Sequence, residues 1–137
     1  MKKKICLSLA CMLMLTALAG CGSQGSSSED SASSTIKIGY FGPLTGGTAQ
    51  AGQAALNGVQ IAVNELNEAG GVLGKQLEIV SYDDKSSPEE AVKAATKLVQ
   101  VDKVNAIFGS LHSANVQAAA PVIEEAKTIC VLSLIHI

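Results

Sequence analysis

No arginine occurs in the 137 residues, and only four cysteines and two histidines do. Without a guanidinium there is no planar fork to hold a carboxylate or phosphate at two points. Setting aside Lys2, Lys3 and Lys4 at the amino terminus, seven lysines face twelve acids, a balance that speaks against a nucleic-acid partner. Cys6, Cys11 and Cys21 belong to the first 21 residues. That leaves Cys130, which alone cannot form an intramolecular disulfide, and no cysteine lies at metal-ligand spacing from another or from His112 and His136. No metal or cofactor is expected. A long apolar run is also missing: Ile5 to Ala19 falls short of the about 20 residues that span a bilayer.

What stands in that place is a leader. Lys2 to Lys4 precede the short apolar stretch, the pattern of a secretory signal peptide over residues 1–20. Its end, Leu18-Ala19-Gly20-Cys21, resembles the lipobox of bacterial lipoproteins, which implies that the Cys21 thiol takes a diacylglyceryl group. Gly22 to Thr35 then carries seven serines, Glu29, Asp30 and no aliphatic residue larger than Ala32. Such a segment cannot bury enough apolar surface to offset its ordering entropy, so residues 21–35 are expected to form a flexible, lipid-anchored tether on the outer side of the cytoplasmic membrane. Residues 36–137 remain for one small domain.

Periodicity gives that domain an α/β reading. Ile36, Ile38 and Tyr40 alternate as in a strand, and Gly42-Pro43-Leu44-Thr45-Gly46-Gly47 breaks it. Leu56, Val59, Val63 and Leu66 fall three or four apart, with Ile61 and Ala62 widening the stripe. The spacing predicts a helix from about Ala49 to Ala69, stopped by Gly70-Gly71. A second strand runs through Leu77, Ile79 and Val80 to Tyr82-Asp83-Asp84. Ser87-Pro88-Glu89-Glu90 reads as a capping box opening a helix to about Val101, with Val92, Ala95 and Val99 inward. Val104 to Phe108 is a third strand, and Gly109-Ser110-Leu111-His112-Ser113 turns into a helix over Ala114 to Lys127, which Pro121 should kink or restart. Ile129 to Leu134 is a candidate fourth strand. Alternating strands and helices with short turns predict a doubly wound parallel sheet.

The ordered set Ile36-Lys37-Ile38-Gly39, Gly42-Pro43-Leu44-Thr45-Gly46, Asn57-Gly58, Asn64-Glu65, Asn67, Gly70-Gly71, Gly74-Lys75, Tyr82-Asp83-Asp84 and Pro88-Glu89-Glu90-Ala91 resembles the leucine-binding family of extracellular solute receptors, the substrate-binding lipoproteins of branched-chain amino acid ABC transporters. The resemblance spans nearly all of Ile36 to Lys127. It implies a type I periplasmic binding fold, a monomer whose two lobes close on an amino acid and present it to ABC permease subunits, with only the amino-terminal part of the first lobe in this sequence. After Lys127 the resemblance breaks, because Thr128 to Ile137 is apolar and lacks the small-residue turn of the family. The expectation is a truncated reading whose last residues are foreign, and a piece that alone neither folds stably nor binds amino acids.

Ligand-binding residues follow from this resemblance, residue by residue. Ser113 matches the family serine that binds the α-carboxylate, and a hydroxyl at a helix start beside free amides suits a small anion. The bland reading of Ser113 is a helix cap, which is compatible. Thr45 with the amides of Gly46 and Gly47 would face the same cleft, and His112 falls at its polar rim. Where some relatives place an aromatic residue beside the ligand, Ala51 stands here, and where some form a disulfide, Ser86 and His112 stand.

Enzyme chemistry finds little support. Asp83 and Asp84 could be paired carboxylates, but neighbours at a strand end point in opposite directions and no histidine or third acid accompanies them, so turn capping is the expectation. Gly74-Lys75 is followed by Gln76, not the serine or threonine of a phosphate loop, and no nucleophile elbow exists. Two alternatives to a transport receptor stay open: a sensory module of the same fold feeding a signalling partner and, more remotely, a lipoprotein hydrolase.

Overall fold

The structure, a computed structural model, describes residues 35–132. The leader, Cys21, most of the tether and residues 133–137 lie outside that range. Four strands form one parallel sheet: β1 Thr35–Gly42, β2 Gln76–Asp83, β3 Ala106–Phe108 and β4 Ile129–Val131. Their spatial order is β2-β1-β3-β4. Tyr40 opposes Ser81 on one side of β1 and Phe108 on the other, and Ile107 opposes Cys130. Between the strands run α1 (Ala49–Glu68), α2 (Pro88–Thr96, continued by a π-helical turn, Lys97–Val101) and α3 (Ser113–Glu125). The chain leaves β1 toward β2, then crosses back over β1 to β3 and β4. With right-handed crossovers this reversal puts α1 on one face and α2 with α3 on the other.

Adjacent residues of β1 serve the two faces. Phe41 enters a buried cluster with Ala94, Leu98, Ile107, Val116 and Ile123, contributed by α2, β3 and α3. Tyr40 turns the other way and its buried hydroxyl donates to the Gly52 carbonyl of α1 at 2.9 Å. Gly52 is needed there: a Cβ would stand 1.9 Å from the Pro43 carbonyl oxygen, so only a bare Cα lets α1 approach the end of β1 this closely.

Element boundaries match the periodicity to within a few residues, but several faces differ. Of the α1 stripe only Val63 is buried, with Gly52; Leu56 and Val59 are half-buried, and Ile61 and Leu66 are 59% and 44% exposed. The reason is that α1 is the one helix, among the described residues, on its face of the sheet. On α2 the inward residues are Ala91, Ala94, Ala95 and Leu98, while Val92 and Val99 flank them. The capping box does not form. Ser87 makes no side-chain cap, and Glu90 bonds Lys93 at 2.7 Å and faces Lys85 at 3.8 Å. Pro121 neither breaks nor restarts α3, which runs unbroken from Ser113 to Glu125. Gly70 and Gly71 do stop α1, at φ 102° and 80°, with the Gly71 amide reaching back to the Leu66 carbonyl at 2.8 Å.

Candidate functional site

In a doubly wound sheet the loops at the carboxyl ends of the strands meet where the strand order reverses, here between β1 and β3. Three loops converge there: Pro43–Thr48 after β1, Asp84–Ser87 after β2, and Gly109–His112 after β3. Side chains bond directly from loop to loop. Asp83, the last residue of β2, accepts the Leu44 amide at 2.8 Å, the Thr45 amide at 3.3 Å and the Thr45 hydroxyl at 2.5 Å, and its Oδ1 also accepts the Lys85 amide at 2.9 Å. Asp84 turns inward, fully buried, where Oδ2 accepts Asn115 Nδ2 at 2.8 Å and Oδ1 accepts the Ser86 amide at 2.9 Å. Both aspartates thus close turns, and each also reaches a second loop or helix more than 30 residues away in sequence. Burial pushes the Asp83 carboxyl up, but the donors from Thr45, Lys85 and Leu44 outweigh it and hold its pKa below 3.8. The Asp84 carboxylate adds to burial in raising the Tyr40 phenol above its ordinary value.

Of the three helices that start at this end, α1 and α3 meet through the residues just before them. Thr48 precedes α1 and His112 precedes α3, and neither side chain caps its own helix. Instead Thr48 Oγ1 lies 3.1 Å from His112 Nε2 and 2.8 Å from Ser86 Oγ, joining all three loops through one hydroxyl. Thr48 therefore bridges the two positions, Ser86 and His112, where some relatives were expected to carry a disulfide. Ser113 is the first residue of α3, exposed, and among the described residues its hydroxyl has no partner. The first α3 amides to find an acceptor are those of Asn115 and Val116, both on the His112 carbonyl at 3.1 Å. Among the described residues the amides of Ser113 and Ala114 on α3 and of Gln50 on α1 have no acceptor, while Ala49 donates to the Gly46 carbonyl at 3.2 Å, and such free amides at helix starts suit a small carboxylate.

Ser113 and His112, neighbours in the chain, stand at the start of α3 beside Thr48 of the loop before α1. Thr45 is close by, but its hydroxyl proton is committed to Asp83, leaving only lone pairs for a ligand. Thr48 escaped sequence reasoning because a threonine before a helix reads as a cap. The Asp84–Asn115 contact escaped because nothing local marks it. Among the described residues no group of three or more His, Cys, Asp or Glu could hold a metal ion. A concavity of about 490 Å³ lies at the opposite, amino ends of the strands, walled by Lys37, Lys75, Lys103 and Asn105; it shares no residue with the converging helix starts.

Backbone amides and hydroxyls from three loops thus face one another at the switch point of the sheet. The periplasmic binding protein family matches residues 35–135, past Lys127 where the resemblance was expected to end, and the chain belongs to that family. It is 42% identical over 101 residues to a leucine-, isoleucine-, valine-, threonine- and alanine-binding protein of Pseudomonas aeruginosa, covering 74% of this chain and 27% of the relative. It is 37% identical over 90 residues to the Leu/Ile/Val-binding protein of Escherichia coli, covering 66% and 24%. Among solved structures, the branched-chain amino acid transporter substrate binding protein of Streptococcus pneumoniae, in complex with isoleucine, superposes with TM-score 0.71 at 39% identity, covering 73% of this chain and 29% of that one. A solute binding protein of Rhodopseudomonas palustris, in complex with 3,4-dihydroxybenzoic acid, superposes at 0.67 with 31% identity, covering 74% and 27%. The chain spans about a quarter of the length of the relatives it matches.

Proposed function

We propose that this chain is part of an extracytoplasmic receptor that captures an aliphatic amino acid for an ABC importer and performs no catalysis. The observation that carries this is the meeting of two uncapped helix starts, joined by Thr48 and His112, beside the unpartnered hydroxyl of Ser113. A ligand α-carboxylate would sit on these amides, with Ser113 donating to it and His112 at the rim. Thr45 and the Gly46 and Gly47 amides line the neighbouring loop. The aliphatic side chain would gain roughly 1.5–3 kcal/mol by burial as the second lobe closes. The relatives at 42% and 39% identity have names that carry branched-chain amino acids, whereas the one at 31% holds an aromatic acid, and this ranking supports an aliphatic ligand. Calorimetric titration of a full-length chain carrying this lobe with leucine, isoleucine, valine and benzoate tests the reading. Leucine, isoleucine or valine is expected to bind and benzoate not; binding of benzoate alone would overturn it.

Cys21 is proposed as the lipidated residue and residues 22–35 as the tether that holds the receptor, as a monomer, to the outer face of the membrane, with the permease as its partner there. Two acyl chains anchor stably where a single one does not. Cys21→Ser is expected to move the protein from the membrane fraction into the medium; unchanged partition would contradict the anchor.

A further inference from the structure

Asp84 and Asn115 are 0% and 1% exposed, and among the described residues no lysine forms an ion pair with Asp84. A buried carboxylate without a cation is a poor source of stability, since apolar groups of similar volume usually hold a fold as well or better. Asp84 is nonetheless fully engaged. Its side chain takes Asn115 Nδ2 and the Ser86 amide, its amide donates to Gly42 at 3.0 Å, and its carbonyl accepts from Ser87 at 2.8 Å. One residue thereby ties the end of β1, the loop after β2 and the first turn of α3. That loop holds Lys85 and Ser86 at φ 49° and 57°, two consecutive left-handed residues that are not glycine, a conformation that persists only where the surroundings over-determine it.

We infer that Asp84 and Asn115 are positioning residues of the ligand site: their buried hydrogen bond sets where the first turn of α3, and so Ser113, stands against the start of α1. Asn115 is two residues past Ser113, and its amide shares the His112 carbonyl with that of Val116. Fixing Asn115 from below fixes the uncapped amides above it. The inference rests on the amino-acid-binding reading for its ligand arm only.

The test uses a full-length chain carrying this lobe and two double variants. Asp84→Leu with Asn115→Ala replaces the polar pair by apolar groups of similar total volume. Asp84→Asn with Asn115→Asp reverses donor and acceptor while keeping an acceptor for the Ser86 amide. In the apolar variant the melting temperature is expected to fall only slightly, through the Ser86 amide that loses its acceptor, leucine affinity to fall at least tenfold, and amide exchange at positions 115 and 116 to rise while Ala119, Ala120, Val122 and Ile123 stay protected. Adding Ser113→Ala to it should cost nothing more, because residues that act through one another are non-additive. The reversed pair should recover first-turn protection and come within about threefold of the parent affinity. Parental affinity and exchange in the apolar variant, a collapse of its melting temperature, or a reversed pair no better than the apolar one would each overturn the inference. If the parent binds no amino acid, the functional reading fails, and the exchange arm alone decides the positioning role.

Discussion

The two ends of the four strands are joined by different means. At the amino ends, asparagine side chains bond the backbone of a nearby strand: Asn67 pairs both ways with Leu77, at 2.7 and 2.9 Å, and Asn105 accepts the Lys37 amide at 3.0 Å while donating its own to the Lys37 carbonyl. Every such bond is made to a peptide group of a strand. At the carboxyl ends, side chains bond one another or amides across loops, through Asp83, Asp84 and Thr48, and the helix starts are left uncapped. The difference teaches that backbone bonding closes the sheet at one end, whereas at the other side-chain bonds tie three loops together beside helix-start amides that stay free.

The largest effect that can break this contrast lies at the close approach under the carboxyl end. Gly52→Ala drives a Cβ into the Pro43 carbonyl and disturbs the Tyr40 bond, and is expected to cost about 1–3 kcal/mol in thermal unfolding. Thr48→Val removes the hydroxyl shared by Ser86 and His112. A loss of about 1 kcal/mol is expected in denaturant unfolding, and no loss at all would mean the loops stand apart unaided.

At the amino end the sign reverses. Leu73 and Gly74 form the two-residue turn between Val72 and Lys75 at φ 53° and 75°, and Leu73 is 93% exposed. Such a turn favours Asn-Gly, so Leu73→Asn is expected to stabilise by about 0.5–1 kcal/mol. The smallest effect is in acid. The Asp83 pKa is depressed on folding, so its contribution is present above 3.8 and is lost as the pH falls through the lower folded value. Melts on either side of 3.8 should show a drop that Asp83→Asn abolishes; an identical drop in the variant would put the acid sensitivity elsewhere.

Element order, sheet class and the place of His112 and Ser113 at a strand-to-helix turn were legible in the sequence because alternation, glycine stops and such turns are local signals. The inner face of α1 was not: an apolar stripe says that a helix could pack, but Ile61 and Leu66 stay exposed because nothing described lies over them. Ser87-Pro88-Glu89-Glu90 carried the letters of a capping box, yet lysines within reach drew Glu90 outward. The aspartate pair was legible as to direction, since neighbours in a strand alternate, but its partners Thr45 and Asn115 are 38 and 31 residues away and leave no periodic trace.

The central claim is that a ligand carboxylate sits where α1 and α3 begin. Calorimetry on a full-length chain carrying this lobe, comparing leucine with leucinamide in the parent and in Ser113→Ala, addresses it most directly. Leucine affinity is expected to fall about tenfold in the variant, near 1.4 kcal/mol, while leucinamide binds weakly to both and ignores the substitution. Equal affinity for leucine in the two proteins, or leucinamide binding as tightly as leucine, would contradict it.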